Sequence, residues 1–219
     1  MAEVTSEMVK TLRERTSAGM MDCKKALAES GGDMEKAIDV LRKKGLKDVS
    51  KRAGRVAREG TVLSYIHGNG RIGVMVELNC ETDFVARNED FTALAQAIAM
   101  HIAWANPRYL ERAEVPAADL EREKDIYRSQ LKPGQEAMAE KILAGKLEKF
   151  YADNCLVEQL DARNPDAKKT LADLIQDVSA KLGEKLVLRR FIRFELGEGI
   201  EKQESDFAAE VAAVAGVGA

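Results

Sequence analysis

The dipeptide Asn69-Gly70, between two segments of alternating polarity, is the feature that most constrains this fold. In residues 70–80, branched apolar side chains at 72, 74, 76 and 78 alternate with Gly73, Met75, Glu77 and Asn79, and residues 60–67 alternate less strictly. Alternation is typical of a half-buried strand, and Asn-Gly favours the left-handed backbone of a tight hairpin turn. The sequence therefore predicts an antiparallel β-hairpin with one buried face.

The same hairpin contains a glycine pattern that is similar to a dinucleotide-binding loop. Residues 68–73 match Gly-x-Gly-x-x-Gly, which binds a pyrophosphate where it follows a strand and opens a helix. Here the residues that follow alternate as a strand does, so the turn is the favoured interpretation. The sequence also has no Gly-Lys-Ser/Thr phosphate loop, and we predict that the chain does not bind a nucleotide directly.

Helical periodicity predicts most of the remaining structure. Three short helices are expected first: one capped at Thr5 or Ser6, one over residues 21–29, and one capped by Asp33 that ends at Gly45. Later helices are predicted over residues 90–105, 116–131, 135–151, 170–182 and 205–215, and a third strand over 186–196. The short turn between the helices at 116–131 and 135–151 makes them a helical hairpin.

Charge divides the chain near residue 58. Residues 1–58 carry a net charge of +5 and residues 59–219 a net charge of −8, against −3 for the whole chain. That overall balance argues against a chain that is basic throughout and binds nucleic acid by charge alone. We predict an α+β protein in three parts: a three-helix module at 1–50, a basic linker at 51–58, and an α+β core at 59–219. Within the core lie the helical hairpin at about 116–151 and a C-terminal strand and tail helix at 186–216.

The composition favours a cytoplasmic protein without a metal or cofactor. The longest apolar segment, near residues 97–105, is interrupted by His101 and is shorter than the roughly 20 residues of a membrane span. The chain opens without a basic and apolar leader, and its three widely spaced cysteines argue against a disulfide framework. No arrangement of carboxylates, cysteines and the two histidines predicts a metal site or an enzyme active site. His67 is expected beside the hairpin turn, and His101 as a hydrogen-bonded histidine in the core.

The segment 81–91 joins the second strand to the long helix, a position where loops often carry function. From composition alone, Thr82 and Asp83 are expected to cap a helical turn, and Phe84 to fill the core beneath it. The basic residues between 42 and 58 are, on the same grounds, a solvated linker rather than an RNA contact.

Three motifs of this sequence resemble the signatures of the elongation factor Ts family. They are residues 12–16 with 19–27, the tetrapeptide Thr-Asp-Phe-Val at 82–85 after residues 76–81, and residues 191–195 with 197–202. They occur in order from one end of the chain to the other. The resemblance implies a short form of the family: a three-helix module similar to ubiquitin-associated domains, then one α+β core unit with a protruding helical hairpin. Residues 156–166 depart from the family pattern.

The same resemblance implies a guanine-nucleotide exchange factor whose partner is elongation factor Tu. It implies that Thr82, Asp83, Phe84 and Val85 disturb the partner's magnesium and phosphate site, with Phe84 as an aromatic wedge and Asp83 as a competing carboxylate. It also implies that the N-terminal module docks on the partner through Lys10, Arg13, Met20 and Met21. His101 is a further candidate contact.

Two other function classes stay open from the sequence: an RNA-binding translation protein that uses the basic linker, and a helical adaptor that binds ubiquitin-like folds through residues 1–50. A homodimer is also expected. The predicted sheet is small, and its edge strands have unpaired backbone groups that another chain could cover. The helix at 90–105 is apolar on more than one face. A second copy would cover that helix, unless the helical hairpin and the tail of the same chain do so.

Overall fold

The computed structural model describes residues 4–16, 18–52, 54–132, 134 and 138–200. Over these residues the chain is an α+β protein, as predicted. The helices are α1 (Ser6–Thr16), α2 (Met20–Glu29), α3 (Met34–Arg52), α4 (Asp83–Ala86), α5 (Glu89–Ala105), α6 (Ala117–Ser129), α7 (Ala139–Asn154) and α8 (Leu171–Leu182). The strands are β1 (Glu59–His67), β2 (Ile72–Cys80) and β3 (Val187–Glu195).

The three strands form one antiparallel sheet in the order β1-β2-β3. His67 pairs with Ile72 across the hairpin, and the turn between them has positive φ angles of 60° at Gly68, 55° at Asn69 and 86° at Gly70. Glycine and asparagine are the residues that adopt this backbone most easily. The predicted hairpin is confirmed, and so is the predicted third strand, which pairs with β2.

The core lies between the sheet and α5. Val74, Val76 and Leu78 of β2 point to this side and are fully or almost fully buried, and each such side chain contributes about 1.5–3 kcal/mol through burial. On its other side α5 packs against α8 and the segment around Leu156. Most apolar side chains of α5 are therefore covered within one chain, so they do not require a second copy. Trp104, near the end of this helix, is the exception and is 75% exposed.

The N-terminal helices α1, α2 and α3 pack around a separate small core. Its fully buried members include Leu12, Cys23 and Leu27. The predicted end of the third helix at Gly45 is wrong, because α3 continues to Arg52. A Cβ at position 45 would lie 3.7 Å from the Cβ of Ala180 in α8.

That close approach explains why α3 continues through a residue that usually ends helices. Glycine in a helix interior costs about 1 kcal/mol relative to alanine, and the packing of α3 against α8 offsets that cost. The Arg52 guanidinium then donates a 3.2 Å hydrogen bond to the carbonyl oxygen of Ser179. Residues 51 and 52 of the predicted linker are thus the last turn of α3, and the division of the chain into domains stays a prediction.

The predicted helical hairpin is present as α6 and α7, which pack against each other. Its base is attached to the loop after α5, where the Tyr109 hydroxyl donates a 2.6 Å hydrogen bond to Asp119.

Cys23, Cys80 and Cys155 are free and buried. The predicted tail helix at 205–215 lies outside the described residues. Within the described part of the chain, no helix is both long enough and apolar enough to cross a membrane.

Candidate functional site

The segment between β2 and α5 folds into the short helix α4. Thr82 adopts an extended backbone at its N-cap, and its hydroxyl oxygen accepts a 3.5 Å hydrogen bond from the backbone N–H of Val85. Asn88 then caps α5 by accepting a 2.9 Å bond from the N–H of Asp90. Capping by Thr82 is confirmed. Asp83 is instead the first residue of α4, and its carboxylate pairs with Arg87 one turn later at 3.0 Å.

Phe84 lies on the outer side of α4 and is 81% exposed. Its neighbour Val85 faces the other way and packs against the core. The expectation that Phe84 fills the core is therefore wrong. Composition could not reveal this, because Phe84 and Val85 are both apolar and only the orientation of α4 decides which of them is buried.

A carboxylate from a distant part of the chain holds the start of α4. Glu184 lies in the turn between α8 and β3, and its Oε2 accepts bonds from the backbone N–H groups of Glu81 and Thr82 at 3.0 and 3.1 Å. Its Oε1 accepts a 2.6 Å bond from the Thr82 hydroxyl. No local pattern in the sequence reveals this role of Glu184, because its partners lie about a hundred positions earlier in the chain.

Glu81 connects the same place to the residues after α3. Its carboxylate accepts a 2.6 Å bond from the backbone N–H of Lys185 and a 3.3 Å bond from Arg55. The Lys185 N–H and, to a lesser degree, Arg55 hold the pKa of this carboxyl below its usual range. The end of β2, the segment after α3 and the α8–β3 turn therefore meet at one charged junction.

The buried thiol of Cys80 lies beneath this junction and contacts the backbone of Thr82. It is buried at the end of β2 and donates a 3.1 Å hydrogen bond to the carbonyl oxygen of Thr82. Burial, together with the nearby negative charge of Glu184, raises the pKa of this thiol to about 11. Cys80 is consequently a protonated donor at neutral pH and not a reactive thiolate.

The candidate residues of the N-terminal module are exposed on its surface. Lys10 and Arg13 lie on α1, where Lys10 approaches Glu14 to 3.9 Å. Met20 and Met21 open α2 and are 59% and 64% exposed. These four side chains lie on two helices that pack together, whereas Thr82 to Val85 form the N-cap and first residues of α4, in the other part of the chain.

His101 is buried in α5, as predicted, with 3% of its surface exposed. Its Nε2 lies 2.9 Å from Oε1 of Gln159, whose amide nitrogen donates to the carbonyl oxygen of Asp153. Nε2 therefore carries the proton, and Nδ1 has no partner among the described residues. Burial lowers the pKa of His101. A role of this ring in partner binding stays a prediction and would have to be indirect.

The second histidine, His67, ends β1 next to the hairpin turn, as predicted, and its Nδ1 lies 2.9 Å from the hydroxyl of Tyr65. Across the part of the chain that the structure describes, no three His, Cys, Asp or Glu side chains converge as metal ligands would.

The site around α4 consists of one exposed aromatic side chain, Phe84, on a short helix whose start is held by hydrogen bonds. Such an arrangement is suited to contact with another macromolecule.

Comparison with known proteins shows the family. A family model described as Elongation factor TS matches residues 1–168. Elongation factor Ts of Desulforamulus reducens is 60% identical over 215 residues, which cover 97% of this chain and 98% of that protein. Elongation factor Ts of Myxococcus xanthus is 58% identical over 218 residues, 99% of each chain. That of Geobacter sulfurreducens is 56% identical over 216 residues, 98% of this chain and 99% of that protein. Agreement of this extent shows that the chain belongs to the elongation factor Ts family.

Proposed function

We propose that this protein is the guanine-nucleotide exchange factor of elongation factor Tu and accelerates the release of GDP, after which GTP can bind. The observation that supports this most directly is Phe84, which is 81% exposed on a helix that the rest of the core holds in place. An aromatic side chain can bury 150–250 Å² against a partner. Leaving one in water is unfavourable unless a partner covers it.

Exchange of this kind requires no covalent chemistry in the factor, and we do not propose an enzyme active site. The factor binds nucleotide-free partner more tightly than GDP-bound partner, and by reciprocity it weakens GDP binding by the same ratio. Mg²⁺ requires nearly ideal octahedral geometry. Phe84, inserted beside the partner's magnesium site, would displace the groups that hold the ion and the phosphates.

Asp83 is placed to assist this step. Its carboxylate is paired with Arg87 at 3.0 Å; the Arg87 side chain is largely in solvent and that of Asp83 is half exposed. Such exposed pairs contribute about 0–1 kcal/mol, so a partner can separate them at little cost. The released carboxylate then offers a competing acceptor to groups that hold the magnesium ion and the phosphates in the partner.

The N-terminal module supplies the second contact in this proposal. Met20 and Met21 are adaptable apolar side chains at the start of α2, and methionine suits interfaces that must adjust. Lys10 and Arg13 on α1 add positive charge, with Arg13 able to bind a carboxylate through two hydrogen bonds.

The free, buried thiols are compatible with a reducing compartment, so we place the protein in the cytoplasm.

The experiment that tests the function is release of a fluorescent GDP from elongation factor Tu, with and without this chain. We expect release to accelerate with increasing factor and to reach a plateau. An unchanged rate would contradict the proposal. An RNA-binding protein would instead show RNA affinity that falls steeply with salt. A helical adaptor would retain its full activity in residues 1–50 alone.

We also propose that two copies associate through the outer face of the sheet. The strand register places apolar side chains of all three strands on this face, and each of them is between 46% and 65% exposed: Val62, Ile66, Met75, Ile192 and Phe194. A contiguous exposed apolar surface is typical of an interaction site. Two such sheets can pack face to face around a two-fold axis, because the same surface then meets itself.

A further inference from the structure

We infer that Glu184 is the positioning residue for Phe84: it holds α4 in the orientation that presents the aromatic ring to the partner. The inference rests on the proposed exchange function and adds to it a residue that does not itself meet the partner's nucleotide site. It is carried by the three hydrogen bonds that one carboxylate accepts from Glu81 and Thr82.

One of these bonds reaches the N–H of Thr82, the N-cap of α4, and the other two reach the N–H of Glu81 just before it and the Thr82 hydroxyl. A helix leaves its first N–H groups without partners, and a helix of four residues has almost no internal hydrogen bonding with which to hold its direction. The Thr82 hydroxyl donates to Glu184 at 2.6 Å and accepts from the N–H of Val85 at 3.5 Å. The carboxylate is therefore linked through one side chain to the residue next to Phe84.

Glu184 is itself held by α8. Gly183 ends this helix with a φ of 76°, and the hydroxyl of the buried Ser179 donates a 2.6 Å hydrogen bond to the carbonyl oxygen of Glu184. The backbone of Glu184 thus belongs to the well-packed part of the core. Ser179 of α8 thus holds the backbone of Glu184, the Glu184 carboxylate holds Thr82, and Thr82 caps α4.

Loss of the carboxylate should loosen α4 without unfolding the core. Thr82 and its bonds to Glu184 lie near the surface, so water can replace the missing acceptor. Phe84 makes no core contact of its own, since it is exposed. Val85 and Ala86 keep the far end of α4 on the core, so the loosening concerns the start of α4 and the direction of the ring. If α4 is loose, the Phe84 ring samples several orientations and spends less time in the one that contacts the partner. The rate of GDP release should then fall steeply, because small errors in position have large effects on rate.

The test is a double-substitution cycle in the fluorescent GDP assay with Glu184→Ala and Phe84→Ala, alone and together. We expect Glu184→Ala to lower the plateau rate by about tenfold, and to have no further effect once Phe84 is alanine, because coupled residues are not additive. Glu184→Gln keeps one oxygen acceptor and should stay within about threefold of the parent rate. Asp177→Asn removes a carboxylate from the exposed side of α8, where it pairs with Lys169, and should leave the rate unchanged.

A measurement without the partner supports or overturns the same point. Amide hydrogen exchange at Glu81 and Thr82 should accelerate in Glu184→Ala, while amides of β2 keep their protection. A parent-like plateau rate for Glu184→Ala, or an equal loss in the Phe84→Ala background, overturns the inference. Phe84→Ala alone tests the proposed function: if it alone slows release and Glu184→Ala does not, only the inference fails. If the Phe84→Ala variant accelerates GDP release as much as the parent protein does, Phe84 is not the wedge. The role proposed for Glu184 then fails as well.

Discussion

The ring of His101 donates a hydrogen bond of 2.9 Å to Gln159, a residue 58 positions later in the chain. The pair joins α5 to the segment that follows α7, in the interior of the protein. Burial lowers the pKa of His101, and the positive charge of Arg163 acts in the same direction, whereas Gln159 and the charge of Asp161 oppose it.

We expect His101 to make the protein less stable in mild acid. The unfolded chain binds a proton at this position near pH 6.5, whereas the folded chain does so only at lower pH. The unfolded state therefore holds more protons below about pH 6.5, and the free energy of unfolding falls as the pH falls through that range. Urea titrations at pH 7.5 and 5.5 should show a larger loss for the parent than for His101→Gln. His67→Gln is the control, and an equal loss in the parent and in His101→Gln would contradict the prediction.

Phe84→Ala should leave the fold intact and slow GDP release. Removal of a buried phenylalanine costs about 3–5 kcal/mol, but Phe84 is exposed, so its loss should change the free energy of unfolding by less than about 0.5 kcal/mol. Release should fall by about tenfold or more, since the ring is the proposed wedge. Ile126→Ala, which removes a partly exposed apolar side chain from α6, is the control. A large loss of stability in Phe84→Ala would show that the ring is part of the core.

Removal of residues 1–50 should weaken binding to elongation factor Tu and leave the sheet folded. The N-terminal helices have a core of their own, while the sheet packs on α5. Because α3 also lies against α8, we expect some loss of stability as well as of affinity. Circular dichroism and a binding titration check this. Collapse of the remaining sheet, or undiminished affinity, would contradict the predicted division into module and core.

Gly45→Ala should stabilise the protein. The new Cβ would lie 3.7 Å from Ala180, an ordinary contact distance, and alanine in a helix interior is favoured over glycine by about 0.5–1 kcal/mol. Gly45→Leu should do the opposite, because the longer side chain has to push α3 away from α8. Thermal unfolding of the two variants distinguishes them. If both raised the melting temperature, α3 would not lie closely on α8 in solution.

Ile192→Glu should abolish the proposed dimer. Ile192 lies opposite Met75 on the outer face of the sheet and is half exposed, so a monomer tolerates a charge there. At a two-fold interface the charge would be desolvated. Light scattering behind a sizing column, at micromolar concentration with reductant, should give a dimer mass for the parent and a monomer mass for the variant. A monomeric parent that forms a one-to-one complex with elongation factor Tu would rule the dimer out.

Much of the secondary structure is determined by residues close together in the sequence. Asn69 and Gly70 set the hairpin turn within four residues, and Thr170 forms a reciprocal capping box with Asp173 at the start of α8. Gly183 ends that helix in the left-handed conformation. Such local interactions can be recognised from a few adjacent side chains, because the chain needs no distant partner to make them. For the same reason the sequence predicted that Thr82 is a cap.

The tertiary structure decided the rest. Gly45 continues a helix because α8 lies close to it, Phe84 points outward because Val85 takes the core side of α4, and Glu184 supports that helix from a turn 102 residues after Thr82. Each of these outcomes depends on which distant surfaces meet. Local preferences differ by about 1 kcal/mol or less, so packing and hydrogen bonds between distant segments override them, and a single sequence does not reveal which segments those are.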